Sequence, residues 1–246
     1  MKKPPLGSAP GAGSLREAAP GRRAARAPLE RPTPLRERVY EAIAEMIVTR
    51  ELKPGEHLVE SELANDLGVS RQPVREALQH LQTEGWVDLR PGHGAFVHVP
   101  TDEEADQLLA VRAILESESA RLAAQHVTDE QMERLRALQR AGEDAVAADD
   151  QAGMVDANAA LHTHVVSMSG NLVLADLIAS VARRVRWYYL PIARSRGKDA
   201  WDEHADIIDA IAEKDPRGAS DRMRQHAERT REIYHGWRTE GTGERV

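Results

Sequence analysis

The stretch LGVSRQPVREALQHLQTEGWV, Leu67 to Val87, decides the fold. It reads as a tight turn at Leu67-Gly68-Val69, then a helix capped by Ser70. Pro73 falls in the first helical turn, where a missing N–H costs little. Val74, Leu78 and Leu81 repeat at helical spacing and give a buried stripe that runs to about Glu84. Arg71 and Arg75 are four apart and share one face. A cationic helix start of this kind fits a DNA major groove, where guanidinium forks match guanine edges or phosphates. Ser70 and Gln72 add hydrogen-bonding groups beside them. The pattern alone also describes an ordinary three-helix cap with surface arginines.

Upstream, Leu35, Val39, Ile43 and Ile47 recur every four residues and predict an amphipathic helix within Thr33 to Arg50. Lys53-Pro54-Gly55 makes a turn, and Ser61 is placed to cap a short helix, ELANDLG, that Gly68 stops. Downstream, Trp86 to Leu89 and Ala95 to Val99 alternate with period two around Arg90-Pro91-Gly92-His93-Gly94. Residues 32–100 therefore read helix, helix, helix, hairpin: a winged helix-turn-helix with Gly92 letting the wing backbone approach a sugar-phosphate chain.

From Thr101 onward the pattern is helical throughout. Thr101 caps a helix to about Ala124, with Leu108, Leu109, Val111, Leu115 and Leu122 on its apolar side. Thr128 and Gln131 form a capping box for a second, to about Ala148. A third runs from about Ala152 to Met168. A fourth runs from Asn171 to about Arg194, with Pro191 able to kink or end it. A fifth spans about Trp201 to Glu213, and Asp215-Pro216 opens a sixth that reaches about Trp237. The expected fold is mainly α: the winged domain, then an all-helical bundle of about six helices over 101–238. Residues 1–31, with seven Lys/Arg against two Glu, read as a disordered basic tail, and 239–246 as a frayed end.

The chain has 246 residues, 41% hydrophobic, but only 4% aromatic, with a single phenylalanine, Phe96. A core of Leu, Ala, Val and Ile follows, which suits helices. The absence of cysteine excludes disulfides and thiolate metal sites. A net charge of −7 argues against non-specific coating of nucleic acid but not against reading a short site. No apolar run approaches the roughly 20 residues of a membrane span. The start lacks the apolar segment of a secretory signal, so a cytoplasmic protein is expected; its Arg- and Ala-rich composition also suits an organellar transit peptide.

Asn158 and His162 are four apart on one helix, and His204 and His226 lie on two later helices. Imidazoles converging from three helices can hold a divalent metal. Spacing alone leaves open that they are ordinary core or surface histidines, and His126, His164 and His235 compete for the role. Arg112 can either face a pocket or pair with Glu116 one turn on. Trp187, Tyr188 and Tyr189 can line a pocket, a dimer seam or the core.

The run PGEHLVESELANDLGVSRQPVREALQHLQTEGWVDLRPGHGAFV resembles the winged helix-turn-helix of the GntR family of bacterial transcriptional regulators. The resemblance covers nearly the whole small domain. It implies DNA contacts by Ser70, Arg71, Gln72, Arg75 and Gly92. Ser61 stands where some members carry a phosphate-binding arginine, and acids outnumber bases over 32–100, which implies modest affinity per monomer and dependence on dimerisation. NAALH, EHADIIDAIAEKDP and RMRQHAERT resemble the FCD ligand-binding domain of the FadR-type branch. That resemblance implies a metal (Zn, Ni or Mn) at Asn158, His162, His204 and His226, and an effector carboxylate at Arg112. The departure is Asn158, where members have Asp: an amide oxygen ligates without bringing charge.

The resulting expectation is a homodimeric regulator, a repressor by the family's common pattern. It would bind a pseudo-palindromic DNA operator and respond to a small organic acid. No Ser-His-Asp set, phosphate-cradling glycine loop or nucleophilic cysteine is present, so an enzyme is not expected. Two alternatives remain: a metal-dependent hydrolase built on the histidines, and a DNA-binding regulator whose helical half only dimerises.

Overall fold

The computed structural model describes residues 33–241. The expected basic tail lies outside them, as do residues 242–246. Three helices open the described chain: α1 (Leu35–Val48), α2 (Glu60–Asp66) and α3 (Arg71–Thr83). They pack against one face of a small antiparallel sheet of β1 (His57–Leu58), β2 (Val87–Arg90) and β3 (Gly94–Val97), in the order β1-β3-β2. Val87 stands opposite Val97, and His57 opposite Phe96. Ile43, Ile47, Val74, Leu81 and Val97 are fully buried where the helices meet the sheet. Each such side chain contributes about 1.5–3 kcal/mol.

The bundle consists of α4 (Asp102–His126), α5 (Asp129–Ala147), α6 (Gln151–Met168), α7 (Leu172–Tyr189), α8 (Ala193–Ala212) and α9 (Pro216–Gly241), with a 3₁₀ turn at Leu190–Ile192. Local chemistry sets most of the starts. Thr101 and Thr128 each accept from the backbone three residues on while Glu104 and Gln131 reach back. Asn171 and Asp215 accept from the amides of Leu174 and Gly218 at 3.1 and 2.9 Å. Gly142 lets α5 touch α8: a Cβ there would overlap the Trp201 ring.

Several expectations change. The α2 helix begins at Glu60 with Val59 at its N-cap, so Ser61 lies inside the first turn and caps nothing. Ser70 takes the N-cap position of α3, but its side chain makes no cap hydrogen bond. The two-residue β1 has no signature in the sequence, since two residues carry no readable alternation. Pro191 ends the fourth helix early, at Tyr189. The fifth starts at Ala193 rather than near Trp201 and breaks at Gly197, whose φ of 34° and ψ of −130° only glycine adopts easily. Val111 is 47% exposed, not buried; the inward face of α4 instead carries Arg112, Glu116 and small residues. The last helix continues past Trp237 to Gly241.

The winged module packs directly on the bundle. Trp86 meets Trp187 with ring centroids 5.4 Å apart. Three arginines of α7 reach across the same seam. Arg183 binds Tyr40 and Glu41, Arg184 donates to the Glu84 carbonyl, and Arg186 donates to Glu45.

Candidate functional site

The turn between α2 and α3 is made by Gly68, at a φ of 64°. It presents Ser70, Arg71 and Gln72 as exposed side chains on the first turn of α3. Arg71 makes no hydrogen bond or salt bridge among the described residues. Arg75 lies one turn on but is engaged: its Nε and Nη2 donate to Glu60 at 2.9 and 2.7 Å. That bond is the leading cause holding the Glu60 carboxyl below its usual range. Gln72 donates to Glu76 at 2.8 Å. Two of the five expected DNA-contacting residues, Arg75 and Gln72, thus already donate to carboxylates of the same chain. Gly92, at a φ of 75°, forms the open tip of the wing.

The helical half brings together the histidines that the sequence singled out. Nitrogen atoms of His162 on α6, His204 on α8 and His226 on α9 lie within 4.8 Å of one another, and all three side chains are buried. Nε2 of His204 and Nε2 of His226 are 3.3 Å apart. Two nitrogens each about 2.0–2.1 Å from one tetrahedral ion would stand about that far apart. Burial, then the neighbouring histidines, push the imidazoles of His204 and His226 well below their ordinary range, which keeps them neutral and able to donate a lone pair. The Asn158 Oδ1 is buried without a hydrogen-bond partner among the described residues, as is Nδ1 of His204. A buried acceptor with nothing to accept from is costly unless a cation or water completes it. These residues fit a divalent metal. The competing histidines sit elsewhere: His126 is exposed, His164 meets the Gln131 carbonyl, and His235 pairs with Asp106.

Two carboxylates that the sequence did not assign to the metal flank the cluster. Glu203 accepts from Nδ1 of His226 at 2.8 Å, which leaves Nε2 of that ring free to ligate. It also pairs with the fully buried Arg196 and with Arg229. Glu116 lies 3.0 Å from Nδ1 of His162 and accepts from Nε of Arg112 at 3.0 Å. Burial, the largest influence on Glu116, raises its carboxyl, but Arg112 and His162 together outweigh it and hold the group far below its usual range. Buried ion pairs of this kind add little stability over apolar packing, so stability alone does not account for their presence.

Arg112 satisfies both readings the sequence left open. It forms the one-turn ion pair with Glu116, and it borders a cavity of about 50 Å³ with Asn158, His162 and Tyr189. Its Nη2 is 3.2 Å from Nε2 of His162, and its Nη1 is buried without a partner among the described residues. Tyr189 faces the cavity; Trp187 and Tyr188 are core.

Residues 35–97 match the model for "bacterial regulatory proteins, gntR family", and residues 107–229 match the FCD domain. The chain belongs to the GntR family and carries an FCD domain. The "Nta operon transcriptional regulator" of Aminobacter aminovorans is 32% identical over 175 residues, covering 69% of this chain and 80% of that protein. The "HTH-type transcriptional repressor NanR" of Cronobacter sakazakii is 30% identical over 234 residues, covering 84% and 87%. The solved structure of "E. coli McbR/YncC" superposes with a TM-score of 0.72 at 20% identity, over 84% of this chain and 99% of that one, a likeness of fold. This GntR-family chain is a transcriptional regulator rather than an enzyme, so the hydrolase alternative falls.

Proposed function

We propose that this protein is a cytoplasmic, homodimeric repressor whose grip on a pseudo-palindromic operator is set by a small organic acid bound beside a divalent metal. The winged module, residues 32–100, reads DNA with Ser70, Arg71, Gln72, Arg75 and the wing at Gly92. The bundle, residues 101–238, is the sensor. His162, His204 and His226 would hold the ion with Asn158 as a neutral fourth ligand. Such an ion would supply open coordination positions and positive charge for an anionic oxygen. The observation that carries this reading is three buried imidazoles in mutual reach next to Arg112, a guanidinium with a buried nitrogen that has no partner among the described residues.

Arg112 recognises carboxylate because its planar fork matches two oxygens. The cavity, about 50 Å³, is smaller than such an acid, so binding draws Arg112 from Glu116 or moves α7, which lines it through Ile178, Val181, Ala182, Val185 and Arg186. Large exposed apolar side chains on α4 (Val111, Ile114) and on α7 (Leu172, Val173, Leu177) support dimerisation through these helices. The acid would then shift the population between dimer arrangements of different half-site spacing. The name of NanR supports a repressor.

The test is metal analysis and thermal shift on the wild type and on the H204A/H226A double variant. Zinc, nickel or manganese should raise the melting temperature of the wild type by several degrees at a hundredfold excess over Kd. Organic acids should raise it further only with metal present. Equal metal content in the double variant would refute the ligand set. Stabilisation by metal but by no carboxylate would favour a bundle that only dimerises.

A further inference from the structure

A second cationic cavity lies away from the histidines, at the junction of the DNA-reading module and the last helix. Its volume is about 370 Å³, within the range of small-ligand pockets. The lining includes Arg50 and Lys53 from the segment after α1, Pro100 from the linker, and Tyr234, Trp237 and Arg238 from α9. Among the described residues, no carboxylate lines it.

Arg50 is the unusual member. Its φ of 62° places it in the left-handed region, sparsely populated for a side chain of this size. This conformation ends α1 and turns the guanidinium over the Trp237 ring, 5.3 Å from the centroid. Its Nε is buried with no hydrogen-bond partner among the described residues, and burial lowers its hold on its proton. The three arginines of α7 at the module seam all have acceptors: Arg183 has Glu41, Arg186 has Glu45, and Arg184 has the Glu84 carbonyl. Arg238 pairs with Asp102 at 2.8 Å. Lys53 forms no salt bridge among the described residues. A half-buried guanidinium facing a cavity with a second cation, and no acid, is an arrangement that an anion completes.

We propose that this cavity binds a small organic anion, its carboxylate or phosphate oxygens on Arg50 and Lys53 and its apolar part against Tyr234 and Trp237. The site differs from the metal centre in position and in partners. It joins the module, through Arg50 and Lys53, to α9, the helix that also carries His226. An anion held there clamps the two together and gives the regulator a second input.

The test is calorimetry on the full chain with two probes, inorganic phosphate and benzoate, in the H204A/H226A background so that the histidine centre contributes nothing. At least one probe should bind at millimolar concentration or below. Arg50→Gln and Lys53→Gln, each confirmed as folded by its melting curve, should each weaken that binding about tenfold or more, the scale of a lost charged hydrogen bond. Trp237→Leu should weaken benzoate and spare phosphate. Binding by neither probe, or binding that both Gln variants leave unchanged, overturns the site. The same probes are titrated with excess non-operator duplex present. Unchanged binding supports a free anion as the ligand, and displacement by the duplex overturns that in favour of a DNA-backbone contact.

Discussion

Arg186 donates to Glu45 at 2.6 Å from one nitrogen and to Asp156 at 2.8 Å from another. The first acceptor belongs to α1 of the DNA-reading module. The second belongs to α6, two residues before Asn158. Arg186 also lines the cavity beside Arg112. One side chain therefore touches the cavity beside Arg112, the helix that carries Asn158 and His162, and the DNA-reading module.

This predicts that Arg186→Met uncouples sensing from DNA binding. Both ion pairs are partly exposed, so stability should change by about 1 kcal/mol or less. Operator affinity without effector should stay within a few-fold of wild type. The change in operator affinity caused by the effector, of the order of 5- to 150-fold in coupled systems, should shrink toward none. Operator titrations with and without the acid measure it. A full effector response in the variant would show that the signal travels elsewhere.

The Glu203 carboxylate orients His226. Replacing it as Glu203→Gln keeps the shape but weakens the acceptor that fixes the ring, and partners of this kind typically carry 10- to 100-fold in metal affinity. Zinc affinity by competitive chelation should fall by about that factor while circular dichroism stays native. Asn158→Asp should act in the opposite direction by adding a negative ligand. If both variants matched wild type, Asn158 would not face the ion and Glu203 would not set the ligating ring.

At the proposed DNA-reading edge, Arg71 and Arg75 start from different states. Arg71 has no ion-pair partner among the described residues and would engage DNA directly; Arg75 would have to leave Glu60 or bring it along. Arg71→Ala should weaken operator binding about tenfold or more if it reads a base. Arg75→Ala should do likewise, by less where Glu60 holds it. Glu60→Gln should tighten binding by freeing Arg75 and removing a charge near phosphate. Gel-shift titration at fixed salt decides. Unchanged affinity in both arginine variants would end the assignment of α3 as the reading helix.

What the sequence disclosed and what it hid divide along contact distance. The capping box at Thr128 needs only neighbours three residues apart, and it forms as read. The alternation around Gly92 to Gly94 likewise predicts a hairpin that forms. Ser61 caps nothing because the chain has already entered α2 at Glu60, directly after the β1 residues pair with β3. Val111 is exposed because α4 turns Arg112 and Glu116 inward instead, where both meet His162 on another helix, a contact that no local pattern announces. The histidines were legible through resemblance, since spacing alone left them ambiguous. Glu203 was not: its partner His226 is on another helix, and the only local sign was its place beside His204.

The four tyrosines give a pH signature. Burial pushes the hydroxyls of Tyr40, Tyr188 and Tyr189 up to about 12, with Glu84 reinforcing the effect on Tyr40, and burial raises Tyr234 as well. In the unfolded chain they ionise near their ordinary value of about 10. The unfolded state therefore loses protons first as pH rises, and stability falls wherever it holds fewer protons than the native state. The contribution from these rings is complete below pH about 10 and is lost between about 10 and 12. Titrating tyrosinate absorbance alongside circular dichroism should show little ionisation near pH 10, then ionisation and unfolding together. Tyr40→Phe should leave the remaining coincidence intact and remove the link to Glu84. Tyrosinate appearing in full near pH 10 while the helical signal persists would mean that these rings are more open to water than the packing of Tyr188 against Trp187 and Tyr234 implies.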